Sequence, residues 1–346
     1  MRQRTQRETL RPDAGIAIIY VAVFLLSSLW FVSLAIDMGK LMTTRTQLQN
    51  AADAAALAGA SAIDPITGQI QQDLARARAA EAAAANRAFQ DLPTPVAIDA
   101  QLDVDFPEER QVRVRVHREA ATGNPMITHF AQTVGLPSLD VRADATAEAK
   151  VLNAVCEGLV PFAPEELPDG RPFSTDCDSA YTLKTGAGEG QQGNYQLLRF
   201  PDCNEDTFTG GGGAAVREFT ANGYQCCQEI GTVMSVETKT GNTVGPFRQG
   251  LDIRWDQDTD KTENICYEQY QGNGKRVVIT PIIDSFDVNG TKFVRIEAFA
   301  AFFLTRRPLG GGMQMELTGQ FIRMVAPGEF GTSEVNSGIY GIHLVE

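Results

Sequence analysis

The strongest pattern in the chain is an apolar run near its N-terminus. Residues 16–36 carry no charge, and a basic head with four arginines precedes them (Arg2, Arg4, Arg7 and Arg11). About 20 residues at ~1.5 Å each match the ~30 Å hydrocarbon core of a bilayer, so the run predicts one transmembrane helix. Because arginine and lysine favour the cytoplasmic side, we expect the head in the cytoplasm and everything after Asp37 outside it.

A cleaved signal peptide is the alternative interpretation of the same run. Ser33-Leu34-Ala35 resembles a small-x-small cleavage site. The apolar core of a signal peptide usually has ~7–15 residues, and this run is longer, which favours an uncleaved anchor. Both interpretations export the rest of the chain.

Helical spacing continues beyond the apolar run. Leu41, Leu48 and Ala55 recur every seven residues among many alanines, which predicts that the same helix continues until residues 59–68 stop it. Small side chains allow another helix to approach closely, so this stripe contains three candidate helix-docking residues: Ala51, Ala55 and Ala58. A second helix is expected at about 69–89. Its predicted apolar face consists of Ile70, Leu74, Ala77, Ala84 and Ala88.

The period of the pattern then changes from 3.6 to 2. Residues 98–106 and 112–116 alternate between apolar and polar on either side of a turn at 107–109, which predicts a β-hairpin. A short helix at about 125–134 and a strand at about 139–151 would complete a β-β-α-β unit.

Periodicity fades between Cys156 and Cys266, where Gly, Asp, Asn and Pro become frequent. Strand-like segments return at 276–283, 293–304, 316–326 and 337–345. The apolar stretch 299–304 is too short to span a bilayer and predicts a strand that is buried on both faces.

These elements predict an α+β protein. Its N-terminal transmembrane helix carries an alanine-rich helical extension, followed by a mixed, β-rich exported domain stapled by disulfides. The expected divisions are a cytoplasmic basic head (1–14), a transmembrane anchor (15–37), an alanine-rich helical region (38–92), a β-β-α-β unit (93–155) and a cysteine-containing β-rich domain (156–346).

The cysteines are consistent with export. All six lie after residue 150, at Cys156, Cys177, Cys203, Cys226, Cys227 and Cys266. An even number of cysteines confined to an exported region indicates up to three disulfides. The sequence alone does not show which cysteines pair. Cys226 and Cys227 are not expected to pair with each other, because neighbouring Cα atoms lie too close. The chain has no C-x-x-C and no histidine near a cysteine, which disfavours a zinc site.

Other candidate chemistry is sparse. The formal net charge of −13 argues against a nucleic-acid partner. Neither G-x-S-x-G nor H-E-x-x-H occurs, and His117 and His129 are interpreted as ordinary surface or packing residues. We therefore expect a protein that is not an enzyme and has no cofactor, no resident metal and no small-molecule substrate.

Three alternating aspartates leave one metal alternative open. Asp256, Asp258 and Asp260 are spaced as in a calcium loop, but Lys261 and Tyr267 occupy the positions that need glycine and glutamate. An irregular calcium site and a solvated acidic turn are the two interpretations.

Two stretches in the first helix carry a family resemblance. Ala35-Ile36-Asp37-Met38-Gly39 and the segment 48–60 (LQNAADAAALAGA) resemble the N-terminal part of TadE/TadG-like proteins of the tight-adherence (Flp) pilus assembly machinery. The resemblance implies a single-pass protein of the bacterial inner membrane with a periplasmic domain. It also implies contacts with other pilus-assembly or envelope proteins. Segments 124–138 and 277–303 resemble such proteins more loosely.

Two departures limit what the resemblance implies. Pilins of this system carry a glutamate five residues after the processing site, and counting from Gly15 that position is Tyr20. The metal motif of the von Willebrand A domain found in some long members is also absent. The alternative function is a membrane-anchored envelope hydrolase with an active site within 156–275, which would need a base and a nucleophile within hydrogen-bond reach.

Overall fold

The computed structural model describes residues 13–164, 173–177, 181–185, 194–200, 212–236, 240–284, 293–310, 315–331 and 338–345. The helices in these ranges are α1 (Asp13–Ala60), α2 (Gln72–Ala85), α3 (Gly213–Asn222) and α4 (Thr240–Gln257). The strands of the first half are β1 (Arg87–Phe89), β2 (Pro93–Pro95), β3 (Val104–Asp105), β4 (Gln111–Arg118), β5 (Met126–Ile127), β6 (Ser138–Leu139), β7 (Val141–Val151) and β8 (Ala154–Val155). Those of the second half are β9 (Phe162–Pro164), β10 (Tyr181–Thr185), β11 (Asn194–Arg199), β12 (Gln228–Glu229), β13 (Val233–Val236), β14 (Val277–Ile283), β15 (Phe293–Leu304), β16 (Glu316–Ile322), β17 (Met324–Val325), β18 (Gly328–Glu329) and β19 (Ile339–Val345).

Helix α1 is one continuous element of 48 residues, as the sequence pattern predicts. Residues 16–36 expose nearly all of their side chains, whereas a later face of the helix is fully buried. The buried face is made mostly of alanines: Leu48, Ala51, Ala52, Ala55, Ala56 and Ala60. One helix therefore has two different environments along its length.

Helix α2 packs on this alanine face, but through a different set of residues from the predicted one. Its buried residues are Ala75, Ala79 and Ala83, spaced four apart, while Leu74 is exposed. Close packing against the alanines of α1 requires small side chains, and a prediction that favours large apolar residues chooses the wrong face. The helix is also shorter than the expected 69–89, because Asn86 leaves the helical conformation and β1 follows.

The other side of α1 packs on a five-stranded sheet with the order β17-β19-β7-β4-β3. Strands β4 and β7 alternate buried and exposed positions and pair in antiparallel register, with Val114 opposite Ala145. The predicted hairpin is present, since Val104 pairs with Val114, but its first strand has only two residues and Leu102 lies exposed outside it.

The helix expected at about 125–134 is not formed. Strand β5 and a 3₁₀ turn at Ala131–Val134 occupy this segment. Pro125 and Pro137 border it, and Gly135 at φ 89° ends the turn, so fewer than three helical turns are available. The strand predicted at about 139–151 is present as β6 and β7.

The C-terminal strand β19 returns to this first sheet. It pairs antiparallel with β7 from Tyr340 opposite Val151 to Val345 opposite Thr146. Residues at opposite ends of the chain therefore share one core, across the division expected at residue 155. The division into separate units stays a prediction.

A second, seven-stranded sheet forms the core of the second half. Its order is β10-β16-β15-β13-β11-β9, with β14 also paired to β15, and β10 pairs in addition with β11, so the sheet closes on itself. Along β15, Phe299 and Phe303 pack into one apolar cluster and Phe302 and Leu304 into another. The strand is thus buried on both faces, as the sequence predicts.

Helices α3 and α4 pack against each other, in a region where the sequence shows no periodicity. Gly250 of α4 explains why the pattern is hidden. A Cβ at this position would lie 2.4 Å from Thr220 Cβ and 2.8 Å from Arg217 O, so the helices touch through a glycine. Helix propensity counts glycine as unfavourable, so a prediction from propensity does not recognise a helix that needs glycine for a close contact.

Disulfides join the irregular segments. Cys156 is bonded to Cys227, and Cys177 to Cys266. Cys226 is disulfide-bonded as well, and Cys203 lies outside the described residues. Cys226 and Cys227 do not pair with each other, as expected. The α+β class, the long N-terminal helix and the disulfide-stapled β-rich part are all confirmed.

Candidate functional site

Helix α1 begins with a stretch that is long and apolar enough to cross a membrane, and it is the one such stretch among the described residues. The serine hydroxyls within it are satisfied inside the helix. Ser28 Oγ donates to Phe24 O at 2.8 Å, and Ser33 Oγ donates to Leu29 O at 2.7 Å. Such bonds are what a hydroxyl needs in a medium without water.

Two segments contact α1 where the apolar run ends, and together we name them the collar (residues 90–92 and 126–136). Asp37 holds the second segment through three main-chain hydrogen bonds. Its Oδ1 accepts from His129 N at 2.8 Å, and its Oδ2 accepts from Phe130 N at 2.9 Å and Ala131 N at 2.6 Å. The carboxylate is only 3% exposed and caps the 3₁₀ turn that follows.

Lys40 makes a second connection between α1 and the collar. Its Nζ donates to Ile127 O at 2.8 Å and lies 3.8 Å from Asp91 Oδ1, with the ring centroid of Phe89 at 5.9 Å. One helical turn further on, Thr44 Oγ1 lies 3.2 Å from Met126 Sδ. Both charged residues of this part of α1 therefore point towards the protein. Sequence analysis missed this arrangement. The signal that could have revealed it is the pair of charges, Asp37 and Lys40, three positions apart where the uncharged run ends.

The far end of α1 is also fixed. After the helix, Asp64 accepts hydrogen bonds from Thr67 N at 2.7 Å and Ile66 N at 2.9 Å, and from Gln71 Nε2 at 2.8 Å. Burial opposes the charge on Asp64, but these hydrogen bonds outweigh it and hold its pKa below the ordinary value.

The turn that Asp64 orders is bonded to the second half of the chain. Arg323 N donates to Pro65 O at 2.7 Å, and the guanidinium of Arg323 donates to Ile66 O. Thr175 Oγ1 donates to the same carbonyl at 2.8 Å. Helix α1 is thus held at both ends of its course through the folded domain.

The candidate helix-docking residues lie in two environments. Ala51 and Ala55 are fully buried in one cluster with the alanines of α2 and with Val112 and Ala147 of the sheet. Ala58 is partly exposed. The chain's own α2 therefore occupies the surface that Ala51 and Ala55 provide, and a partner helix at Ala58 stays a prediction.

Polar residues within the alanine tract connect α1 to the sheet. Gln49 Nε2 donates to Asp53 Oδ1 at 2.8 Å and to Asp144 O at 3.1 Å. Asn50, the next residue, is exposed. Asp53 thus orients Gln49, which accounts for an acidic residue in a segment made mostly of alanine.

The three aspartates of the possible calcium loop are engaged with protein groups. Asp256 pairs with Arg307 at 3.3 Å, Asp258 accepts from Asp260 N at 2.8 Å and from Tyr270 Oη, and Asp260 accepts from Thr262 N at 2.9 Å. In the described part of the chain they do not form a three-carboxylate group. The cluster is a structured turn, and the calcium interpretation gains no support from it.

Arg276 is the most deeply buried charge beside these aspartates. Its guanidinium donates to Leu304 O at 2.8 Å, Thr262 O at 2.8 Å and Thr305 O at 3.0 Å, and lies 4.4 Å from the ring centroid of Trp255. Burial lowers the pKa of Arg276 and raises that of Tyr270, which donates to Asp258. Main-chain carbonyls satisfy the cation, so the cluster connects loops to β14 and β15 and does not present a reactive group.

The remaining titratable candidates are dispersed. His117 lies 3.8 Å from Asp103, exposed His129 lies 3.4 Å from Lys40 Nζ, and His343 packs on the ring of Phe330. Over the described ranges, the one close group of three potential metal ligands combines Glu329 with the disulfide-bonded Cys156 and Cys227. Disulfide sulfurs are not thiolate ligands, so this group is not a metal centre.

A family model connects these observations with known proteins. The model for putative Flp pilus-assembly TadE/G-like proteins matches residues 15–62, which is helix α1 with its apolar run, its collar contacts and its buried alanine face. The match confirms the resemblance seen in the sequence of this helix. No curated protein and no solved structure matches the chain.

Proposed function

We propose that this protein is a single-pass inner-membrane component of a Flp/Tad-type pilus assembly machinery or a related cell-envelope apparatus, and that it acts through protein–protein contacts. One observation carries the proposal. The helix that matches the pilus-assembly family is a single element that begins as an exposed apolar stretch and ends in the core of a folded domain. The family-type anchor is thus part of the domain and not an appendage.

The orientation rests on two further observations. The arginine-rich head favours a cytoplasmic N-terminus by the positive-inside rule. The disulfides Cys156–Cys227 and Cys177–Cys266 belong to an oxidising compartment such as the periplasm. Both support a periplasmic domain after Asp37. An alkaline phosphatase fused to the C-terminus should be active, and an inactive fusion of normal abundance would contradict this topology.

The proposed role is structural and not enzymatic. The buried polar cluster around Arg276 lies beside the region where the alternative, a membrane-anchored hydrolase, would place its active site. Its charged groups are bonded to main-chain carbonyls and to the hydroxyl of Tyr270. This favours a scaffold that presents surfaces to other pilus-assembly or envelope proteins. The exposed side of α1 next to Ala58 is the proposed contact for a partner helix.

Deletion and complementation in the native bacterium test this role. We expect deletion to remove surface pili, and the wild-type gene to restore both pili and co-purification of assembly proteins. Ala58→Leu should reduce partner recovery without unfolding the protein, whereas Ala121→Leu, the same change at an exposed alanine outside α1, should not reduce it. Normal piliation of the deletion strain would refute the proposal, and loss of an envelope hydrolytic activity there would establish the alternative.

A further inference from the structure

We propose that the collar is a lipid-contacting surface, and that its exposed apolar side chains lie in the interfacial layer of the same membrane that α1 crosses. This inference rests on the membrane anchoring in the proposed function. It adds that the folded domain is not held away from the bilayer by its helix but lies on it.

The first observation is the set of apolar side chains that the collar exposes. Leu92 is 72% exposed, Phe130 40%, and Val134 and Leu136 each 53%. The two collar segments are joined by a hydrogen bond from Ile127 N to Gln90 O at 2.9 Å, which places Leu92 and Phe130 two and three residues from a shared main-chain contact. Large exposed apolar groups of this kind mark a contact surface.

The second observation is the depth of this surface along α1. Asp37, which binds His129, Phe130 and Ala131 through their main-chain N–H groups, is the first residue after the apolar run. At ~1.5 Å per residue, the collar begins within a few ångströms of the hydrocarbon edge. A phenyl ring on the adjoining turn reaches the headgroup layer, where aromatic side chains are favourable.

The third observation concerns charge on the side of α1 that faces away from the collar. Asp37 is 3% exposed and the side chain of Lys40 is 9% exposed, both turned to the protein. Met38 and Met42 are exposed, and Arg45 is the first exposed charged residue after residue 16. The outer surface of the helix is therefore uncharged over residues 16–44. Such a length, ~42 Å, matches the ~40–45 Å of a bilayer with its interfacial layers and exceeds the ~30 Å hydrocarbon core.

Together these observations favour lipid over a partner protein as the occupant of the surface. The collar continues the surface of the membrane-spanning stretch, and the two charges at the junction are covered by the collar itself. Shielding of Asp37 and Lys40 lowers the cost of placing this level of the helix in the interface, because an unpaired charge there would be costly. The collar also carries the exposed carboxylate of Asp91, which lies 3.8 Å from Lys40 Nζ and is therefore partly compensated.

Fluorine NMR of the full chain in lipid nanodiscs tests the proposal. Trifluoromethyl-phenylalanine replaces one phenylalanine at a time: Phe24 in the apolar run, Phe130 in the collar, and Phe330. Phe130 and Phe330 are both 40% exposed, which makes them a matched pair. Phe330 packs near Gly341 of β19, whose neighbour Tyr340 clusters with Ile63 at the far end of α1. Ala60, the last residue of α1, is roughly 35 Å from Asp37 at ~1.5 Å per residue.

Each site is measured with a phospholipid that is spin-labelled near the top of its acyl chain, and separately with a water-soluble paramagnetic ion. We expect the lipid label to broaden the signals at positions 24 and 130 and to spare 330, and the soluble ion to broaden only 330. The added substitution Val134→Asp should abolish the lipid broadening at 130. Val233→Asp, a comparably exposed valine in the second sheet, should leave it unchanged.

The outcomes separate this inference from the proposed function. Broadening at 24 with a signal at 130 that behaves like 330 would refute the lipid contact and keep the anchor. A signal at 130 that neither agent reaches would mean that a protein covers the collar, and would refute it as well. No lipid broadening at 24 would refute the anchor itself.

Discussion

Replacing Ala55 by leucine should destabilise the folded domain, whereas the same change at Ala58 should not. Both residues lie in the same alanine tract of α1, but Ala55 is fully buried and Ala58 is partly exposed. Helix propensity differs little between alanine and leucine, so the comparison isolates the effect of packing.

The contact around Ala55 has little free volume. At Gly59, one turn further along α1, an added Cβ would already lie 2.9 Å from Val112 Cγ1 and 3.6 Å from Ala79 Cβ. Ala55→Leu adds three carbon atoms to this packed region. Overpacking usually costs about 1–3 kcal/mol of folding free energy. We expect the upper end, because the neighbours are alanines, whose short side chains cannot move aside without a shift of the backbone. At roughly 2–4 °C per kcal/mol, the Tm should fall by about 6–12 °C.

Differential scanning calorimetry of the full chain in nanodiscs measures this effect, with near-UV circular dichroism as a second probe. For Ala58→Leu we expect a change below about 0.5 kcal/mol, typical of a surface substitution. Equal Tm values for the two variants, or a rise for Ala55→Leu, would show that α2 and the sheet do not cover Ala55 as described.

Three further predictions concern other parts of the fold. Gly68→Ala should lower the Tm more than Gly123→Ala. Both glycines have positive φ, but only Gly68 is crowded, since Arg323 Cδ would lie 2.6 Å from the added Cβ. Equal decreases in Tm would exclude crowding as the cause. Because the pKa of Asp64 is lowered in the folded state, its charge stabilises the fold above about pH 4, and this contribution is lost as the pH falls towards the depressed value. Asp64→Asn should therefore be less stable than wild type at pH 7 in urea titrations and converge with it in acid; a constant difference would refute the linkage. Replacing Cys177 and Cys266 together by serine should lower the free energy of unfolding by about 2–5 kcal/mol, since the bridge joins positions 89 residues apart, and an unchanged denaturation midpoint would contradict this.

The elements that the sequence predicts correctly are those with a long, regular pattern. Helix α1 consists of a continuous apolar run followed by helical spacing, and β15 is apolar at successive positions over residues 298–304, so neither prediction depends on knowledge of the neighbouring elements. The buried face of α2 was predicted wrongly because it is selected by its partner. Against a helix lined with alanines, Ala75 and Ala79 pack better than Leu74. The apolar pattern of α2 considered alone does not reveal this preference.

Long-range contacts account for the rest of what the sequence does not show. The return of β19 to β7 joins residues about two hundred positions apart, and α3 and α4 meet through Gly250, which carries no apolar signal. For the candidate site, the cysteines and the alanine tract are visible in the sequence. The role of Asp37 is not, because its hydrogen-bond partners are main-chain groups 92–94 residues away.

The unbroken course of α1 gives the protein a mechanical property. A continuous helix that is fixed to the domain near Asp37 and again near Pro65 couples its tilt in the membrane to the orientation of the domain. The 24 residues from Asp37 to Ala60 span ~36 Å, so a tilt of ~20°, an ordinary value for a membrane helix, moves the far end sideways by about 12 Å. A neighbouring helix that changes the tilt of the anchor within the bilayer would therefore displace the second sheet by about this distance. No rearrangement inside the domain is needed for this displacement.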